Sequence, residues 1–347
     1  MQAGRRDQEG VPMTASEKTS TASAGAAASG SAVTGSAVTG SAATGSAGGP
    51  GPAAPSNAYL DMGRLGRSSE VIYGIGLIII FLVVPLGAAQ VIGPIQAWAI
   101  STYGPPDAMV NLFATTANIV GFLIWMAMFP IWILGVFLVV RLLNQRPFMT
   151  LISPTRTYNL KLVGLAFVIY LPLVTLSSLA GIWLAGQPVT FNFVFEPAGW
   201  IAGLALGLVL YLIQATSDEL VFRAYPLQGV YAVIGRPVVA AIGAALIFSL
   251  YHYSPANTPE TYASLFIAGL FAAALTVKAQ RLEPAIGVHL ANNLSLFSIV
   301  QNPEVTPAEP IWRLAEPVGM SWALVATAIV AAVVFWVVFF GVWGRRG

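Results

Sequence analysis

Hydrophobic and polar positions in this chain are sorted into long blocks. Apolar runs cover 71–92, 112–140, 160–184, 200–217, 238–253, 263–277, 284–300 and 321–342. A helix crossing a bilayer needs about 20 apolar residues, so the pattern predicts an all-α polytopic membrane protein with about eight transmembrane helices. The fifth, sixth and seventh runs are short for that role and require shielding by neighbouring helices. Pro85, Pro130 and Pro172 are expected to kink the first three spans, because each removes a helix hydrogen bond.

Residues 1–57 stand apart. They are built from Ala, Gly, Ser and Thr, with a degenerate repeat (GSAVT, GSAVT, GSAAT) from residue 30 to 44. Such a segment buries too little apolar surface to offset its ordering entropy, so a disordered tail is expected. No apolar core follows Arg5 and Arg6, which argues against a signal peptide.

Charge orients the spans. Arg64 and Arg67 precede the first; Arg141, Arg146, Arg156 and Lys161 lie between the second and third; Arg236, Lys278, Arg281, Arg345 and Arg346 continue the alternation. The other loops carry Asp107, Glu196, Glu260, Glu304, Glu309 and Glu316 with Arg313 as the single base. The positive-inside rule then places both termini in the cytoplasm. Trp98, Tyr103, Trp200, Trp312 and Trp322 sit near span ends, where interfacial anchoring and core packing are both open to them.

Composition agrees with the blocks. Apolar residues make up 56% and charged residues 9% of 347, with a mean hydropathy of +0.76, far from the roughly 25% charge of soluble domains. A net charge of +2, with the bases at span ends, excludes a nucleic-acid partner. The absence of cysteine excludes disulfides, thiolate metal sites and a cysteine nucleophile.

Three polar places interrupt the apolar blocks. Asp218, Glu219 and Arg223 close the fourth run, and ionisable groups there mark a functional site by default. Glu219 and Arg223, four apart, share a helix face and can pair, whereas Asp218 is turned about 100° away. The only two histidines, His252 and His289, each fall in another apolar run. If the chain turns near Gly235-Arg236-Pro237, Asp218 and His252 lie equally far from the turn and at similar depth. A break at Pro226, with 227–234 along the interface, would bring Asp218 nearer the surface. His289 and Asn293, also four apart, can aim two donors at one point, as an oxyanion requires, or serve as interhelical hydrogen bonds. Asn292 is expected to pack elsewhere.

In order, Asp218-Glu219-x-x-x-Arg223, Phe248-x-x-x-His252 and His289-x-x-x-Asn293 resemble the three motifs of the CPBP family. These are the CAAX protease and bacteriocin-processing (Abi) intramembrane proteases, which include type II prenyl endopeptidases. The resemblance covers residues 146–300, with Arg146-Pro147-Phe148 also similar to family members. The expected division is therefore a tail (1–57), N-terminal transmembrane helices (58–145), a CPBP-like protease core (146–300) and a loop with a final span (301–347). The resemblance implies an eight-helix fold with a conical intramembrane cavity reached from the cytoplasmic side. One position departs from the family: Asp218 stands where a glutamate is usual.

The resemblance further implies an endopeptidase acting on a membrane-associated protein or peptide. Asp218 and His252 would activate water, His289 and Asn293 would form the oxyanion hole, and Arg223, Glu219 and Phe248 would hold the site in shape. Ser249 faces away from His252, so no covalent intermediate is expected. A metal-free reaction is the first expectation; the alternative is zinc on Asp218, His252 and His289. An inactive membrane scaffold and a proton-coupled transporter are the readings outside this enzyme class. Composition rich in Ala and Gly points to a bacterial plasma membrane.

Overall fold

The structure, a computed structural model, describes residues 57–186, 189–303 and 307–344. The expected tail up to residue 56, Glu304, Arg345 and Arg346 lie outside the described residues. Eight principal helices match the eight apolar runs one for one: α1 (Glu70–Tyr103), α2 (Thr116–Leu143), α3 (Leu160–Leu184), α4 (Pro197–Ile234), α5 (Pro237–Tyr251), α6 (Pro259–Ala279), α7 (Glu283–Ser298) and α8 (Trp322–Trp343). Among the described residues six of them are long and apolar enough to cross a membrane; α5 and α7, with 15 and 16 residues, are not. At 1.5 Å per residue they fall short of a hydrocarbon core of roughly 30 Å. The chain is thus an all-α polytopic membrane protein, with α7 buried inside the bundle and α5 exposing one apolar face.

Helix starts follow from side chains that accept the first free amides. Ser69, Thr115, Asn159, Glu196, Thr258 and Ser321 cap α1, α2, α3, α4, α6 and α8 in this way. Large apolar side chains point outward, with Leu176 63% and Val337 67% exposed, the reverse of a water-soluble protein and what a lipid surroundings require.

Prolines act on the ladder in two ways. Pro85 and Pro226 each follow a π-helical turn, Ile79–Val83 and Leu220–Ala224. A proline clashes with the carbonyl four residues back, here Phe81 and Phe222, and the wider turn makes room for it. The expected break at Pro226 is therefore not found. The fourth run, read as 200–217, belongs to a continuous helix of 38 residues that carries Asp218, Glu219 and Arg223 in its interior. Pro130 falls where α2 is interrupted at Ala127, whereas Pro172 lies within an unbroken α3.

The connections gather at two ends. At one, β1 (Phe191–Phe193), β2 (Val300–Gln301) and β3 (Trp312–Leu314) form a sheet of order β1-β3-β2, antiparallel between β1 and β3 and parallel between β2 and β3. Arg313 ties it to the loop after α1 by bonds to Met109 O (2.8 Å) and Asn111 Oδ1 (2.7 Å). At the other end a short helix, Ala58–Asp61, docks beside α4, α5 and α6: Leu60 is buried with Leu227, Tyr231 and Ala241, and Asn57 Nδ2 donates to Val277 O at 3.0 Å. Arg146, 1% exposed, donates through Nη1 to Met62 O and Gln228 Oε1, both at 2.7 Å.

Two glycines set the core geometry. Gly235 takes the left-handed conformation (φ 73°) that ends α4, so that Arg236 and Pro237 start α5; the expected turn is the observed one. Gly287 lets α7 lie on α3, since a Cβ there would collide with the Val163 carbonyl and stand 2.8 Å from Ala166 Cβ. This close approach fixes His289, two residues further on.

Candidate active site

α4 and α7 supply the centre of the site. His289 Nδ1 lies 2.9 Å from Glu219 Oε1, and Nε2 lies 3.6 Å from Asp218 Oδ2. The ring therefore reaches both adjacent carboxylates, although these leave α4 in directions about 100° apart. A carboxylate only accepts, so Nδ1–H donates to Glu219 and Nε2 is turned to Asp218. On the other side of Glu219, Arg223 Nε is 3.5 Å from Oε2, the i to i+4 pairing expected from sequence. Both are almost fully buried, at 1% and 3% exposure.

Phe248 joins this cluster to the second motif. The Arg223 guanidinium sits 3.9 Å from the centre of its ring, an attraction between cation and aromatic face. The same ring is 4.5 Å from the His252 imidazole. His252 ends α5 and directs Nδ1 at the Phe248 carbonyl at 2.8 Å. A carbonyl accepts, so Nδ1 carries the proton and Nε2 is left as the basic atom. Phe222 and Tyr251 flank the imidazole at 5.7 and 6.0 Å. Asp218 and His252 share neither a hydrogen bond nor an ion pair; Asp218 lies one turn of α4 before Phe222, the residue that is level with His252. Ser249 Oγ donates to Tyr262 O at 3.3 Å, away from His252.

The asparagines divide differently from expectation. Asn293 Nδ2 is buried with no acceptor, while Oδ1 receives Asn292 Nδ2 at 3.3 Å. Asn292, assigned from sequence to packing elsewhere, lines a cavity of about 420 Å³ together with Glu219, Arg223, Phe248 and His289. Ala285, Val288, His289, Asn292 and Ser295 also line it; their spacing of three and four marks one face of α7. The i+3 spacing from His289 is the signal in the sequence that points to Asn292. Asp218, His252 and Asn293 are not among the lining residues, and His252 is itself exposed.

Among the described residues no group of three His, Asp or Glu is placed to hold a metal ion. Of the set named for zinc, Asp218 and His289 are neighbours, and His252 and His289 each engage Nδ1, with Phe248 O and Glu219, and leave Nε2 uncommitted.

Comparison with known proteins agrees with the motifs. Residues 199–295 match the family described as type II CAAX prenyl endopeptidase Rce1-like. The chain is 26% identical over 195 residues to the uncharacterized protein YyaK of Bacillus subtilis, a match covering 52% of this chain and 64% of that relative. No solved structure matches. The matched stretch runs from the start of α4 to Ser295 of α7 and holds all three motifs, so over these helices the chain is similar to the type II CAAX prenyl endopeptidase Rce1-like family.

Proposed function

We propose that this protein is an intramembrane endopeptidase that hydrolyses a peptide bond of a membrane-associated protein or peptide, in the plasma membrane of a bacterium. The observation that carries the reading is His289 held between Asp218 and Glu219 at 3.6 and 2.9 Å inside a helical bundle. Such a cluster is expensive in an apolar interior unless it serves chemistry. In the proposed reaction Asp218 and Nε2 of His252 hold a water, and one of them takes its proton as the oxygen attacks the peptide carbonyl. The tetrahedral oxyanion is met by Asn293 Nδ2–H, a buried donor with no acceptor of its own, and by Nε2–H of His289 when that ring carries a second proton. The proton then passes to the leaving amine. Glu219, Arg223 and Phe248 keep the helices in register.

Asn292 belongs with this set, since it links Asn293 to the cavity that ends at Glu219 and His289. The family resemblance and the Rce1-like match support the class of reaction. The test is cleavage of a membrane-anchored peptide by the purified protein in liposomes. Asp218→Ala, His252→Ala and His289→Ala are each expected to lower the rate by at least about a hundredfold, the usual contribution of a general acid or base. Equal rates in the wild type and all three variants would reject the assignment.

A further inference from the structure

α4 and α7 run antiparallel, and their interface is pinned at two levels. At one, His289 meets Asp218 and Glu219. At the other, the rings of Tyr211 and Phe297 lie 5.3 Å apart, and Phe122 of α2 closes on them at 5.9 and 5.5 Å. Gln214 stands four residues before Asp218 and three after Tyr211, and Asn293 stands four after His289 and four before Phe297. Residues so spaced share a helix face. Gln214 and Asn293 therefore occupy one level of this interface, between the acids and the three rings.

Both side-chain amides are unfulfilled there. Gln214 is 8% exposed, and its Oε1 is buried with no donor; Asn293 Nδ2 is buried with no acceptor. A buried polar atom without a partner is costly, yet this acceptor and this donor do not satisfy each other. A group that suits both turns an N–H to α4 and a carbonyl to α7. A trans peptide unit does so, because its N–H and C=O point in opposite directions. A lipid tail has neither group, and an ester has no N–H.

We propose that Gln214 is a further catalytic residue, whose Oε1 accepts the N–H of the scissile peptide bond while Asn293 Nδ2–H donates to the carbonyl of that same bond. The inference rests on the endopeptidase reading and supplies its leaving-group side. Asp218 is one turn further along α4, about 6 Å up the axis, so a water held there and a peptide unit held at Gln214 lie side by side. As the water oxygen bonds to the carbonyl carbon, an electron pair moves onto the oxygen facing Asn293 and the nitrogen becomes pyramidal with a lone pair of its own. Holding its N–H at Gln214 hinders inversion and keeps that lone pair turned to the group that took the water's proton. The C–N bond breaks as the proton is delivered to nitrogen, and a carboxylic acid and a free amine leave.

An ester analogue separates this role from packing, because replacing the scissile N–H by oxygen removes the group that Gln214 accepts and keeps the carbonyl. The full-length protein in liposomes is given a membrane-anchored peptide and the matched depsipeptide. Gln214→Leu is expected to slow cleavage of the amide at least about tenfold, mainly in kcat, and of the ester less than about twofold. Asn293→Ala is expected to slow both alike, since both present the carbonyl. Because Gln214→Leu removes a buried acceptor that has no donor, its melting temperature in detergent is expected to equal or exceed that of the wild type. Gln214→Met repeats the comparison with the side-chain volume kept. Equal losses on amide and ester, an amide rate within about twofold of wild type, or lowered melting in both Gln214 variants overturns the proposal and leaves the endopeptidase reading standing. A wild type that cleaves neither substrate removes that reading, and the role of Gln214 with it.

Discussion

His289 Nδ1 stands 2.9 Å from Glu219 Oε1 although the two residues are 70 positions apart in sequence. This bond fastens α7 to α4 at the level of the buried Asp218, Glu219 and Arg223. Replacing Glu219 by glutamine keeps an acceptor for Nδ1–H but removes the partner of Arg223. Glu219→Gln is therefore expected to fold and to retain some cleavage, whereas His289→Ala loses both the tie and the donor. Parallel cleavage assays of the two variants check this order.

Arg223 is 3% exposed and faces Glu219 at 3.5 Å. Removing one partner of a buried pair strands the other, typically at about 3–5 kcal/mol. Arg223→Ala is expected to lower the melting temperature in detergent strongly, and Phe248→Leu, which removes only the ring under the guanidinium, to lower it less. Equal melting of Arg223→Ala and wild type would refute a structural role for the pair.

Asp218 Oδ2 lies 3.6 Å from His289 Nε2, beyond the usual hydrogen-bond range of about 2.7–3.2 Å. One more methylene closes that gap and restores the acid usual in the family. Asp218→Glu is expected to match or exceed the wild-type cleavage rate, while Asp218→Asn abolishes it. A rate in Asp218→Glu as low as in Asp218→Asn would remove Asp218 from the reaction.

Gly287 has no room for a methyl group against the Val163 carbonyl and Ala166. Gly287→Ala is expected to cost about 1–3 kcal/mol, as overpacking does, and to displace His289. Cleavage should fall further than melting alone accounts for; a full rate with unchanged melting would contradict the tight α3–α7 approach.

At the sheet end, burial pushes the Glu309 carboxyl above the ordinary carboxylate range; the Phe113 amide works against this shift, Glu196 adds to it, and Arg313 opposes it. A raised value means that the folded state holds the proton more tightly. Stability from this group is therefore greatest below the unfolded value, falls as pH rises through the two values, and levels off above the raised one. Glu309→Gln, which keeps an acceptor for Phe113 N–H, is expected to flatten this decline in melting measured from pH 4 to 8. Parallel curves for both proteins would argue against the shift.

Much of this was legible in the chain. All eight helices, the turn at Gly235 to Pro237 and the pairing of Glu219 with Arg223 follow from spacing and turn chemistry alone. The length of α4 did not, because Asp218, Glu219 and Arg223 were read as the end of an apolar run when protein, not lipid, surrounds them. Hydropathy counts side chains and is blind to what encloses them. The sheet was missed because strands of two and three residues, brought together from distant loops, leave no periodic trace. The place of Asn292 was missed because positions three and four beyond His289 both share its side of a helix, and only packing decides between them.

The junction of Arg146 with Met62 and Gln228 has a mechanical consequence. Gln228 also donates to Tyr59 O at 3.0 Å and rides on the same unbroken rod as Glu219, nine residues beyond it. Residues 59–62 are thus tied through Gln228 to the same helix that carries the acids, so a displacement of this short segment loads α4 directly.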